Sequence, residues 1–195
     1  MNVNIIKQVM SFVAVVMTFV SYVPYYRDIL RNKTHPHIYS WSLWCLLTIL
    51  IVALQIKGGA GLATYVTAAV GLLCFGVVIL SFKNGRKDIT LSDTIVAILG
   101  LVAIGCWLIV DQPIVSMILV VIADLLAFVP TVRKSWHKPH TETLSLYITS
   151  ALQFSLALMA IKEYTILSSL WPASWVIANG LFSIMLIYRR KNIGK

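Results

Sequence analysis

Apolar runs of roughly twenty residues, each closed by a short charged or Gly/Pro-rich cluster, follow one another from end to end of this chain. The breaks fall near residues 31–37, 57–61, 83–93, 111–113, 133–142 and 162–165. A helix that crosses the hydrocarbon layer of a bilayer takes about 20 residues, so the pattern predicts seven membrane-spanning helices with short loops and no soluble domain. The first run, from Ile5 to beyond Tyr22, has no small-residue cleavage site and reads as a retained span rather than a leader.

Two of these runs end alike. Val23-Pro24-Tyr25-Tyr26-Arg27 and Val129-Pro130-Thr131-Val132-Arg133 both lead into a basic, His-containing loop, and each loop returns to apolar sequence through a serine, Ser40 or Ser145. The prolines are 106 residues apart and the serines 105, which reads as an internal repeat. If each repeat holds three spans, an odd number, two copies can share one orientation only when a further span separates them. Span four, near residues 92–110, has no copy of the signature and fills that place. The predicted fold class is all-α and integral to the membrane: seven transmembrane helices as two parallel three-helix repeats joined by a linker helix. Residues 1–83 form the first repeat, 84–112 the linker region and 113–195 the second repeat.

Composition agrees. Of the residues 59% are hydrophobic and 12% charged, against about 25% charged in soluble domains, and the mean hydropathy is +0.86. The net charge of +9 has a pattern that sets orientation and calls for no nucleic acid. Thirteen of the sixteen Lys and Arg fall after spans one, three, five and seven, leaving Lys7, Lys57 and Lys162 on the other side. By the positive-inside rule those crowded loops and the C-terminus are cytoplasmic and the N-terminus is outside. Anionic lipid headgroups are the expected neighbours of these cations. Cys45, Cys74 and Cys106 lie inside apolar runs without metal or redox spacing and read as small packing residues. His35, His37, His137 and His140 share the cation-rich loops without ligand spacing, so no metal and no cofactor is expected.

The three-plus-one-plus-three order resembles the SWEET and PQ-loop transporter superfamily. So do a proline near the cytoplasmic end of each repeat's first helix, the basic loop after it and the serine opening the next helix. The resemblance covers nearly the whole chain. It implies a carrier whose site lies near mid-membrane between the repeats, with access alternating as one bundle rocks against the other and Pro24 and Pro130 acting as hinges. Two features depart from the family pattern. The Pro-Gln dipeptide of the PQ-loop branch is replaced by Pro24-Tyr25 and Pro130-Thr131. Asn179 resembles the SWEET third-helix asparagine, yet span three offers no partner for it.

Candidate chemistry concentrates in the second repeat. Asp124 lies well inside span five, where an acid costs about 2.5–3.5 kcal/mol on insertion scales and by default marks a functional site. It is the candidate proton-coupling residue, or else a structural carboxyl bonded to a neighbouring helix. Its counterpart six residues before Pro24 is Thr18. Trp171, Trp175 and Asn179 recur every four residues on one face of span seven. Trp171, beside Pro172, reads as an interfacial anchor, while Trp175 and Asn179 offer a deeper aromatic plane and an amide to a substrate. Span six carries a polar stripe of Ser145, Thr149 and Gln153, and span two a matching one of Ser40, Trp44 and Thr48. These stripes line a hydrated path or bond helices together. In span three, Thr64, Thr67, Gly71 and Cys74 form a row of small residues suited to close packing.

The expected function is transport of a small polar solute, sugar-like or amino-acid-like, with or without proton coupling, by a chain whose oligomeric state, homo-oligomer or monomer, is open. The competing class is a seven-helix receptor or sorting protein that binds a small ligand or peptide. Retrieval receptors of that kind bind carboxylates through arginines inside the bundle, and no span here holds a deep Arg. A lone acid without base, nucleophile or metal set makes no catalytic constellation, so an enzyme is not expected.

Overall fold

A computed structural model describes residues 3–84 and 112–193, together with positions 91, 94, 95, 97, 98, 101 and 109. It is all-helical, 89% helix with no strand among the described residues. Six α-helices lie among the described residues: α1 (Val3–Leu30), α2 (Ile38–Lys57), α3 (Thr64–Asn84), α4 (Pro113–His137), α5 (Leu144–Ala160) and α6 (Ile166–Ile193). All but α5 are long and apolar enough to cross a membrane. The predicted fourth span lies largely outside the described residues.

Helix ends follow from local chemistry. Asn32 takes φ 53° and closes α1 with the paired bonds of a Schellman motif, Asn32 N to Ile29 O and Lys33 N to Asp28 O. Gly59, at φ 73°, does the same for α2 through Gly59 N to Ile56 O and Ala60 N to Gln55 O. Pro113 opens α4 at its first turn, where the missing N–H costs nothing. The basic residues from 133 to 137 do not stop α4, which runs on to His137 before Lys138-Pro139 ends it. A charge interrupts an apolar run without breaking a helix, so the sequence pattern placed this boundary early.

Packing links the helices in a regular scheme. In the first set α3 touches both α1 and α2; in the second α6 touches both α4 and α5. Across the sets, α1 packs on α5 and α2 on α4, so each first helix meets the other set's second helix. The loops after α1 and α4 meet at one end, where His35 N donates to Thr141 O and the hydroxyls of Thr34 and Thr143 lie 2.6 Å apart. Arg189 and Arg190 reach the same end by bonding Trp136 O and Pro139 O. At the opposite end Lys7 donates to Ile161 O and Thr165 to Gly58 O. The two Val-Pro-x-x-Arg segments therefore share one basic face.

Large apolar side chains point outward on every helix. Phe12, Val20 and Val23 of α1, Leu72 and Phe82 of α3, Ile122 of α4, Leu152 of α5 and Leu181 of α6 are all exposed. Polar side chains are buried instead, among them Ser21, Thr48, Thr67, Gln55 and Ser183. Monomeric soluble proteins rarely expose contiguous apolar patches beyond a few hundred Å²; here the solvent matched to this surface is hydrocarbon.

The row of small residues in α3 permits close approach. A Cβ at Gly71 would lie 2.7 Å from Thr48 Oγ1 and 3.2 Å from Thr48 Cβ. Thr48 is short, β-branched and back-bonded to Cys45 O, so it has little room to yield. Gly71→Ala is expected to destabilise the protein by about 1–3 kcal/mol, the usual cost of overpacking, as read from reversible unfolding in detergent.

Candidate functional site

The buried face of α4 runs through Val120, Asp124, Phe128, Thr131 and Lys134, steps of three and four that keep one side of the helix turned inward. Asp124 lies near the middle of α4 and is 1% exposed. Three indoles converge on it. Trp171 Nε1 and Trp175 Nε1 donate to its Oδ2 at 2.8 and 2.5 Å, and Trp44 Nε1 donates to its main-chain carbonyl at 3.0 Å. The carboxylate thereby ties α4 to α6 while its backbone ties α4 to α2. Its second oxygen, Oδ1, has no hydrogen-bond partner.

Beside Asp124 lies a cavity of about 50 Å³ bounded by both helix sets. Tyr22, Trp41, Trp44, Thr48 and Cys74 line it from α1, α2 and α3. Tyr147, Ser150, Gln153, Trp171, Trp175 and Asn179 line it from α5 and α6. The aromatic side chains form two groups: Trp41 meets Trp44 edge-on at 5.0 Å and Trp44 meets Trp175 at 5.4 Å, while Phe154 meets Trp171 at 5.0 Å. Offset and edge-on pairs of this kind fix ring positions and leave little slack.

Two amides complete the lining. Gln153 is fully buried and crosses from α5 to α1, where its Oε1 accepts from Ser21 Oγ at 3.3 Å; its Nε2 is unpartnered. Asn179 donates back to Trp175 O at 2.8 Å, one turn up its own helix. An unpaired polar atom buried away from water costs about 1–3 kcal/mol, and Asp124 and Gln153, which each carry one, line the same cavity.

Of the side chains the sequence put forward, Asn179, Trp175, Gln153, Thr48, Trp44 and Asp124 meet here. Thr149 does not: it lies outside the lining, its hydroxyl returned to Ser145 O and Leu146 O. The inward face of α5 passes through Leu146, Ser150, Gln153 and Ala157, and a strict four-residue stripe drifts off it because the helix turns every 3.6 residues. Trp171 is also misread as an interfacial anchor. It is 2% exposed and holds Asp124. Pro24 and Pro130 lie inside unbroken helices, where each removes one donor and frees the carbonyls of Val20 and Leu126.

Between the cavity and the basic face lies a second polar cluster that the sequence did not announce. Glu142, 2% exposed, receives the Lys134 ammonium on Oε1 and the hydroxyls of Tyr147 and Tyr25 on Oε2, at 2.9 and 3.3 Å. Lys134, 8% exposed, also donates to His35 O at 2.6 Å, and Arg190 donates to Glu142 O. The carboxylate of Glu142 thus joins α1, α4 and α5, while its main-chain carbonyl holds α6 and Lys134 carries the link on to the first basic loop. Lys134 and His37 had been counted with the lipid-facing loop residues; both are buried. The legible signal for Lys134 was its register, ten residues after Asp124 on the same face.

The described residues thus form an all-helical, apolar bundle with a buried, aromatic-lined cavity into whose largely apolar wall a few polar side chains are set. Compared with known proteins, the chain matches no protein-family model, no curated protein and no solved structure.

Proposed function

We propose that the chain is an integral membrane carrier of a small polar solute, working by alternating access between two parallel three-helix repeats joined by a linker helix. The observation that carries this reading is the cavity itself: it is lined by buried residues of both helix sets, among them Asp124 and Gln153, each of which has an unpartnered polar atom. The matched packing of the sets, with each first helix on the other's second, supports a two-fold repeat. The basic face is the cytoplasmic one in this reading, as the positive-inside rule requires, and the N-terminus lies outside.

The cavity is small against the roughly 300–1,000 Å³ usual for ligand sites, which suits a closed state that widens when either side opens. Toward the cytoplasm the path is shut by Tyr25, Tyr147 and the Lys134–Glu142 pair. Toward the other side the edge-on pair of Trp171 and Phe154 shuts it. Pro24 and Pro130, at equivalent points of α1 and α4, are the places where the cytoplasmic thirds of those helices swing. In this scheme Trp175, Asn179, Gln153, Thr48 and Trp44 contact the solute and Asp124 couples its movement to a proton. Thr149 has no contact with it.

Counterflow into liposomes carrying the purified protein tests the proposal, with sugars, amino acids, amines and nucleosides as solutes. Saturable uptake of at least one class is expected, and an inert panel would overturn it. Thr149→Ala is expected to leave that uptake within about twofold, whereas Gln153→Leu lowers it about tenfold, the equivalent of one lost buried hydrogen bond of roughly 1.4 kcal/mol.

A further inference from the structure

We infer that the solute is a small organic ammonium ion carrying a hydroxyl group, an amino alcohol in chemical class, and that Asp124 and the tryptophan walls recognise it. This rests on the carrier reading and narrows its substrate. The first ground is charge. Asp124 is the one acid among the described residues that line the cavity, and no Lys, Arg or His lines it with them. A carboxylate in such a place calls for a cation, and Asp124 Oδ1 has no hydrogen-bond partner that a cation would have to displace.

The second ground is the wall. Trp41, Trp44, Trp171 and Trp175 line the cavity together with Asp124, and Trp171 and Trp175 aim their N–H groups at the other oxygen, Oδ2. Indole faces are the aromatic surface that attracts ammonium groups best. A neutral sugar would leave the carboxylate uncompensated. An amino-acid zwitterion would bring a carboxylate of its own into a cavity where no described lining residue carries a positive charge.

The third ground is Gln153, whose amide has one end tied to Ser21 and the other unpartnered. A hydroxyl both donates and accepts, so it satisfies that end. An ammonium without a hydroxyl would leave the amide as it is. The cavity, about 50 Å³, compares with the roughly 150 Å³ that holds a benzene ring. It therefore selects compounds of few non-hydrogen atoms.

The test uses the full chain in lipid nanodiscs for binding and in liposomes for uptake. The probes are ethanolamine, ethylammonium, ethylene glycol and glycine, which separate the charge, the hydroxyl and the carboxylate. Ethanolamine is expected to raise the unfolding temperature and to enter liposomes saturably, ethylammonium to bind more weakly, and ethylene glycol and glycine to do neither. Asp124→Asn keeps an oxygen for both indoles and is expected to weaken ethanolamine binding on the order of a hundredfold. Trp44→Leu, which leaves the carboxylate and both its indole bonds in place, checks the wall independently with an expected loss of about tenfold. Binding without uptake would uphold the recognition and overturn the carrier. Uptake of glycine or a sugar with ethanolamine excluded would uphold the carrier and overturn the substrate class, as would failure of ethanolamine to bind at all.

Discussion

Glu142→Gln is expected to destabilise the protein by about 3–5 kcal/mol, the cost of breaking a buried ion pair by removing one partner. The Lys134 ammonium is 8% exposed, and with Gln at 142 it would exchange the carboxylate it now contacts for a neutral amide oxygen while keeping its bond to His35 O. The hydroxyls of Tyr25 and Tyr147 would share one amide where they now share a carboxylate oxygen. Replacing both charged residues, Lys134→Met with Glu142→Gln, removes the whole pair and should cost clearly less than the sum of the single changes. Reversible unfolding of the four proteins in detergent gives the coupling directly. A Glu142→Gln protein within about 0.5 kcal/mol of the parent, the range of ordinary surface changes, would show that the pair holds nothing together.

Asp124→Asn is the second large effect, and it is on transport rather than stability. The amide is nearly the shape of the carboxylate and its oxygen can still accept from Trp171 and Trp175, so the bundle should fold. What disappears is the one negative charge among the described lining residues of the cavity. Solute-driven uptake is expected to fall on the order of a hundredfold, in keeping with the loss of one partner from a buried charged contact. A proton gradient that drives accumulation in the parent should drive none in the variant. The cationic-solute reading supplies the reason: a buried carboxylate that releases an ammonium ion takes a proton in its place, so solute and proton exchange on one group. Uptake unchanged by Asp124→Asn would reject the proton role.

Why the prolines matter is a separate expectation, and a smaller one. Each frees a carbonyl inside a helix that is otherwise continuous, which lowers the cost of bending there. Pro24 is half-buried and Pro130 buried, so the two hinges of the proposed motion are not equally free.

Much of the fold was legible because membrane helices announce themselves by run length. The breaks at 31–37, 57–61 and 162–165 match the loops between α1 and α2, α2 and α3, and α5 and α6. Asp124, Trp175 and Asn179 were legible because a polar group inside an apolar run is costly enough to need a reason. Gly71 was legible as close packing, and Thr48 is the side chain it admits.

The rest depended on rotation and depth, which run length does not encode. Thr149 and Ser150 are neighbours in sequence and about 100° apart around a helix; only the packing of α5 on α1 and α6 decides which faces the cavity. Trp171 had the composition of an interfacial anchor, and the carboxylate it holds comes from α4, 47 residues away. Lys134 and Glu142 were hidden among loop charges because pairing across the two basic loops needs both loops in place. Charge counts fix a side of the membrane and say nothing of which charges turn inward.

Cys74 provides the most direct test of alternating access, because it lines the cavity from α3 and is 1% exposed. With Cys45 and Cys106 replaced by serine and the protein inserted in one orientation in liposomes, a membrane-impermeant thiol reagent is applied from each side in turn. Slow labelling of Cys74 from both sides, suppressed by transported solute, is the predicted result. Labelling from one side alone, while solute still crosses, would contradict it.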